Sequence, residues 1–446
     1  MRSGGVLATS MWRPSRKRAV AALAALAAVG ALALAGCGTD YDDITVGTGK
    51  GWTAAYHDGR NSGTGPVTGS RELELSWQRP VGGPIAQPIT LGPDSQLFVT
   101  TRLQNCSIFS FQMATGRKRF CNALGPSAIS APSSVDGMTN VYVGDDSRVI
   151  SFNYLGQPRW ATPVAGTPAS VQFTGDGKLL TVTRSGQVDV LSRQTGDRTV
   201  PTVQLLGEPD FLVHAGLSWP DASQGLDECA TGGPQCPVAT ISAVDADSGR
   251  FYVTLWQPGR PAAAVVALRY TGEKIVREWS AELLLGGSAT SPALSADGAT
   301  LYVGDNNNRL IALDTADGRT KWVHRLDWTP RGGISVSDDG LIIPSGDDGY
   351  LLGLRDNGDA VETVWERKDL ALRGSAAQTA GDTGYAVAAI GDGLNLVTFD
   401  TQTGATLDSD VLPGAKGTTT GTSVGAKGEV VVATRIGEIF AFAPEK

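Results

Sequence analysis

Residues 301–322, LYVGDNNNRLIALDTADGRTKW, read as a β-rich run, an acidic turn, a second run, a glycine turn and a closing Trp, and VYVGDDSRVISFNYLGQPRW at 141–160 repeats that order. Weaker copies start at residues 97, 179, 341 and 385. The glycines of the second turn, Gly116, Gly156, Gly196, Gly272, Gly318, Gly358 and Gly404, are separated by 40, 40, 76, 46, 40 and 46 residues. Five of these six steps suit a four-stranded unit of about 40 to 50 residues, and the long one marks an insertion. One copy cannot bury its own faces, so the copies must stack on one another. No other feature of the chain constrains the fold as much.

Each unit divides into four short antiparallel strands. Upstream of the first stretch, GSATSPALSADG (287–298) supplies a first strand ending in an Asp-Gly hairpin turn. The stretch itself supplies the second and third strands, and the segment through Trp322 the fourth. The apolar run EVVVATR (429–435) suits a strand covered on both faces by neighbouring units. The sequence stops at Lys446 after three strands of a last unit, whereas LELSWQRPV (73–81) is a fourth-type strand, with Trp77, that has no unit before it. Pairing these two would close the array into a ring without open edges. Eight fourth-type strands, the first at 73–81 and the last at 405–412, predict an all-β, eight-bladed β-propeller of four-stranded antiparallel blades, closed by an N-terminal strand. It spans 73–446 and carries an insertion at 206–237. The 57 glycines and 18% charged residues agree with many turns and few surface helices.

The step IALDTADGRTKW is similar to the repeat of PQQ-type β-propellers, and the matching positions are Ala312, Leu313, Asp314, Gly318 and Trp322. The physics is independent of the likeness: Asp accepts backbone hydrogen bonds in the turn, Gly takes positive φ, and Trp fills the widening gap between twisted blades. That family contains quinoprotein dehydrogenases, which characteristically carry adjacent cysteines under the cofactor, and non-enzymatic lipoproteins of BamB-like layout. This chain has no Cys-Cys pair. The resemblance therefore implies the second group: no enzyme, no cofactor, and a scaffold that binds envelope proteins across one propeller face. The alternative is a ligand-binding propeller for an envelope lipid, glycan or quinone-like cofactor, held in the central channel or under the insertion.

The first 36 residues are set aside as a targeting segment. Arg13, Arg16, Lys17 and Arg18 form a basic region, Ala19 to Ala33 an apolar one, and Leu34 to Cys37 read LAGC, which matches the bacterial lipobox. The match implies a mature protein that begins at a lipidated Cys37 and is held by acyl chains on the extracytoplasmic face of the membrane, the outer membrane in a Gram-negative source. The apolar run is short for a spanning helix of about 20 residues. Residues 37–72, rich in Gly, Thr and Ser, read as the lipidated Cys and a flexible tether, with 51–63 able to pack on one face through Trp52 and Tyr56. The targeting segment holds five of the 37 Lys and Arg and none of the 45 Asp and Glu, so residues 37–446 carry a formal charge of −13. A body this acidic repels a phosphate backbone and excludes nucleic acid as a partner.

Cys106, Cys121, Cys229 and Cys236 remain, and an exported chain with these spacings predicts the disulfides Cys106–Cys121 and Cys229–Cys236. The acidic turns GDDS (144–147), GDNNN (304–308), GDDG (346–349) and DADSG (245–249) lack the spacing of a calcium loop and are what hairpins require, so no metal is expected. GTSVG (421–425) has no later His to serve as a base, and His57, His214 and His324 show no metal spacing. What remains for recognition are loop residues on one face: Trp219 in the insertion, Trp256, Trp328 and Arg331, expected as exposed contacts of a monomeric protein.

Overall fold

The computed structural model describes Met1 and residues 51–207, 226–346 and 348–445. Consecutive strands pair as antiparallel four-stranded sheets over 90–122, 133–163, 168–204, 243–285 and 293–325. Two further sets, 335–372 and 377–412, join into one nine-stranded sheet with Thr64–Thr68, which pairs in parallel with Ala377–Ala380. The last sheet combines Thr419–Val424, Val430–Thr434 and Glu438–Pro444 with Leu73–Pro80 from the other end of the described chain. Leu73–Pro80 runs antiparallel to Glu438–Pro444, from Leu73 opposite Pro444 to Pro80 opposite Glu438. The described helices are the short Leu226–Thr231 and a 3-10 turn at Pro126–Ser130.

Burial follows strand order within a sheet. Second and third strands such as Leu179–Thr183 and Gln187–Leu191 are buried at every residue, because sheets cover both faces. The fourth strands mix exposed and partly buried residues: Ile275–Leu285 and Val361–Leu372 carry Arg277, Glu282, Glu362 and Glu366 toward solvent. The core is accordingly divided into layers, each between one sheet and the next in chain order. One larger layer unites residues of the sheets at 377–412, 419–444 and 90–122, with Leu73 and Trp77 among them.

The same lock recurs between sheets. A Trp on a fourth strand donates its indole N–H into the following sheet: Trp77 to the Met113 carbonyl (2.6 Å), Trp160 to Arg193 (2.9 Å), Trp279 to Thr315 (3.0 Å) and Trp365 to Thr401 (2.9 Å). Trp322 reaches the Asp356 carboxylate instead (2.8 Å). The ring lies against the glycine of the next unit's second turn; a Cβ on Gly404 (φ 70°) would stand 2.7 Å from the Trp365 ring. Glycine thus serves both the positive φ and the approach of the indole.

Candidate functional site

Residues 51–68 do not form a tether. Trp52, Tyr56, His57, Asp58, Asn61 and Ser62 are buried, and Asn61 is fully so. The segment passes from one sheet to the next at their first strands, where its carbonyls accept backbone N–H groups. Trp52 accepts from Leu91 (2.7 Å), Thr53 from Val135 (2.8 Å), Gly59 from Val244 (2.6 Å), Arg60 from Leu294 (3.0 Å), Ser62 from Val336 (2.7 Å) and Gly63 from Gln378 (2.9 Å). Asn61 adds a side-chain hub: its Nδ2 donates to the carbonyls of Pro292 (2.9 Å) and Ser242 (3.2 Å), and its Oδ1 accepts from Gln172 (3.1 Å). A dozen extended residues span at most about 40 Å. To touch six sheets in that length, the nine-stranded one in both of its sets, the segment must lie where the first strands converge, on the axis of the array. The central channel is therefore filled by the protein's own chain.

Local chemistry sets this path. His57 (φ 77°) and Asn61 (φ 55°) take left-handed backbone in a tight turn, in which the Asp58 carboxylate accepts the Ser62 N–H (3.0 Å). Burial pushes the Asp58 carboxyl up, but hydrogen bonding and charge from His57, with Arg60 and the Ser62 amide, outweigh it and hold the group at about 2. At one mouth of the channel Asp58, Arg60, Asp338, Asp339 and Asp382 line a cleft of about 400 Å³.

The other mouth bears the loops in which recognition was expected. Here Leu226–Thr231 and the Cys229–Cys236 disulfide border the ring, and Cys106–Cys121 closes a second loop on the same face, with Cα separations of 5.0 and 5.3 Å. Arg184 ties the disulfide loop down: its fully buried guanidinium donates to the Ser130 carbonyl (2.9 Å) and toward Ala239 (3.3 Å), and burial lowers it to about 10. Arg331 stands at the rim, held by the parallel pairing of Arg331–Gly332 with Ala289–Thr290, and donates to the Ala230 carbonyl (3.2 Å). Beside it, Tyr56, Arg331, Ser375, Thr420 and Arg435 enclose a pocket of about 30 Å³. Burial pushes the Tyr56 phenol up to about 12, with Arg435 opposing.

The structure corrects the expected exposure of the two described tryptophans. Trp256 is 8% exposed and donates to the Arg260 carbonyl (3.2 Å); Trp328 is 5% exposed and meets Tyr350 edge to face at 4.6 Å. Both pin loops onto the ring, leaving Arg331 as the partly exposed member of the set. Trp219 and Cys37 lie outside the described residues. Sequence reasoning missed Asn61, Arg184, Thr420 and Arg435. Only the run HDGRNSG, with its turn-forming Asn, Asp and Gly, held a signal for one of them.

Residues 238–445 match the family described as outer membrane protein assembly factor BamB. The chain is 36% identical to Protein Rv3035 of Mycobacterium tuberculosis over 419 residues, 92% of this chain and 100% of that one. It is 25% identical to the outer membrane protein assembly factor BamB of Yersinia pestis over 254 residues, 48% of this chain and 58% of that one. Among solved structures, BamB from Moraxella catarrhalis superposes with a TM-score of 0.57 at 17% identity, over 83% of this chain and 99% of that one. A europium-containing methanol dehydrogenase superposes with a TM-score of 0.61 at 13% identity, over 91% and 100%. At these identities the structural likenesses establish the fold, a β-propeller.

Proposed function

Because the chain belongs to the family of Protein Rv3035 and is a β-propeller of PQQ-like repeats of the BamB type, we propose that it is a non-enzymatic scaffold of the cell envelope. It is held to the membrane by acyl groups on Cys37 and binds envelope proteins across one face of a monomeric propeller. The relatives named for outer membrane protein assembly support the envelope setting. The observation that carries the reading is the filled channel. A lipid, glycan or quinone on the axis would have to displace a segment hydrogen-bonded to six sheets, whereas a protein partner needs only the rim and the loops. The pairing of Leu73–Pro80 with Glu438–Pro444 supports eight blades closed by an N-terminal strand, a rigid ring without free inner edges.

Affinity capture of the lipidated protein from its own membranes, with separate mass spectrometry of proteins and of lipids, tests this. Stoichiometric envelope proteins that disappear when the rim is altered by charge reversal at Arg331 support the scaffold. A copurifying lipid, glycan or quinone without a protein overturns it. The anchor is tested independently: Cys37→Ser should move the protein from the detergent to the aqueous phase on Triton X-114 partition, and retention in detergent would refute lipidation at this residue.

A further inference from the structure

We propose that the pocket at the insertion-side mouth of the channel is a carboxylate-binding site, and that the ligand is an acidic residue on an extended segment of a protein partner. The inference rests on the scaffold reading and gives it a point of contact.

Three observations converge there. In a chain whose formal charge is −8, the pocket is lined by two guanidinium groups and, among the described residues, no carboxylate. Among the described residues neither Arg331 nor Arg435 forms an ion pair; Arg331 donates to a main-chain carbonyl and Arg435 is exposed. The hydroxyl of Thr420, 5% exposed, is buried at the pocket without a hydrogen-bond partner among the described residues, and such a group normally has one. The volume of about 30 Å³ admits one or two waters or a single carboxylate group. Charged and uncharged donors around a site of that size suit a planar anion, which two guanidinium groups and a hydroxyl can grip together.

The surroundings select a peptide over a phosphate headgroup. Arg331 also lines a wider hollow of about 340 Å³, with Asn308, Asp327, Trp328, Thr329 and Asp348. There the Trp328 indole N–H is a second buried donor without a partner among the described residues. Donors beside carboxylates serve the alternating C=O and N–H groups of a main chain. Asp327 and Asp348 would repel the surface of an anionic bilayer.

The test uses the purified protein and three probes: acetyl-Gly-Glu-Gly-amide, its Gln counterpart, and glycerol 3-phosphate. Each is titrated while the Nε–H signals of Arg331 and Arg435 are followed by NMR. The Glu peptide should move both signals, the Gln peptide should bind at least roughly tenfold more weakly, and Arg435→Ala should weaken the Glu peptide by a similar factor while Arg435→Lys restores part of it. Equal response to Glu and Gln, or tighter binding of glycerol 3-phosphate, would overturn the proposal. Partner capture with the Arg331→Ala, Arg435→Ala protein separates the two readings. Undiminished capture removes this pocket but leaves the scaffold; Glu-peptide binding with no partner captured leaves the pocket but removes the scaffold.

Discussion

Asn61 ties three sheets together through one side chain. It is fully buried, sits at φ 55°, and joins carbonyls beside two sheets to Gln172 of a third. Asn61→Ala would remove these bonds and place an ordinary residue in left-handed backbone, which should cost on the order of 3 kcal/mol, read as a lower urea midpoint. Two carboxylates give opposite pH signatures. Asp58, held at about 2, contributes stability that is present above its unfolded value near 4 and lost as pH falls from there toward 2. Asp410 is pushed up to about 6, first by burial and then by Asp408, so its contribution is complete below about 4 and lost as pH rises through 6. Asp410→Asn should therefore raise the urea midpoint at pH 7 and leave it unchanged at pH 4; an equal change at both would remove the titration as its cause. The hub at Asn61, whose partners lie more than a hundred residues away, and the burial that shifts Asp410 were not legible in the sequence, whereas the groups that hold Asp58 down, His57, Arg60 and Ser62, are its sequence neighbours.

At the scale of elements, the Trp and Gly repeat was legible, and for a physical reason. The lock is local in sequence, about 36 residues from indole to carbonyl, and recurs with the blade period. Trp365→Ala should cost about 3–5 kcal/mol, and Trp365→Phe about 1–2 through the lost bond to Thr401. Gly404→Ala meets both strained φ and the ring, so it should cost about 2 kcal/mol. The double variant Trp365→Ala, Gly404→Ala should be milder than the sum, since removal of the ring makes room for the methyl group; strict additivity of the unfolding energies would show that the two do not meet. The disulfides were equally legible because each closes a short span, 15 and 7 residues. Of the segment at 51–68, only the packing of Trp52 and Tyr56 was. Its Gly, Ser and Thr content reads as a linker, and its order comes from N–H groups on strands that no local pattern connects to it. Trp256 and Trp328 were misplaced for the same reason: a loop position suggests exposure, and only the neighbouring blade supplies the cover.

For the whole molecule, one strand ties the two ends of the described chain together. Leu73–Pro80 carries Leu73 and Trp77 into the largest core layer and covers the edge of Glu438–Pro444. A chain that starts after Pro80 would lose both this strand and the axial segment and expose an unpaired apolar edge. It should elute from size exclusion as oligomers or aggregate; a stable monomer with native circular dichroism would show that the ring holds without its closing strand.

The axial segment also decides how the protein carries load. A pull applied at residue 51 would be shared by hydrogen bonds to successive sheets, from Leu91 to Gln378. Force applied at an outer strand would instead peel one blade, a bond at a time. A propeller pulled by its own axle can be tugged there without opening a blade.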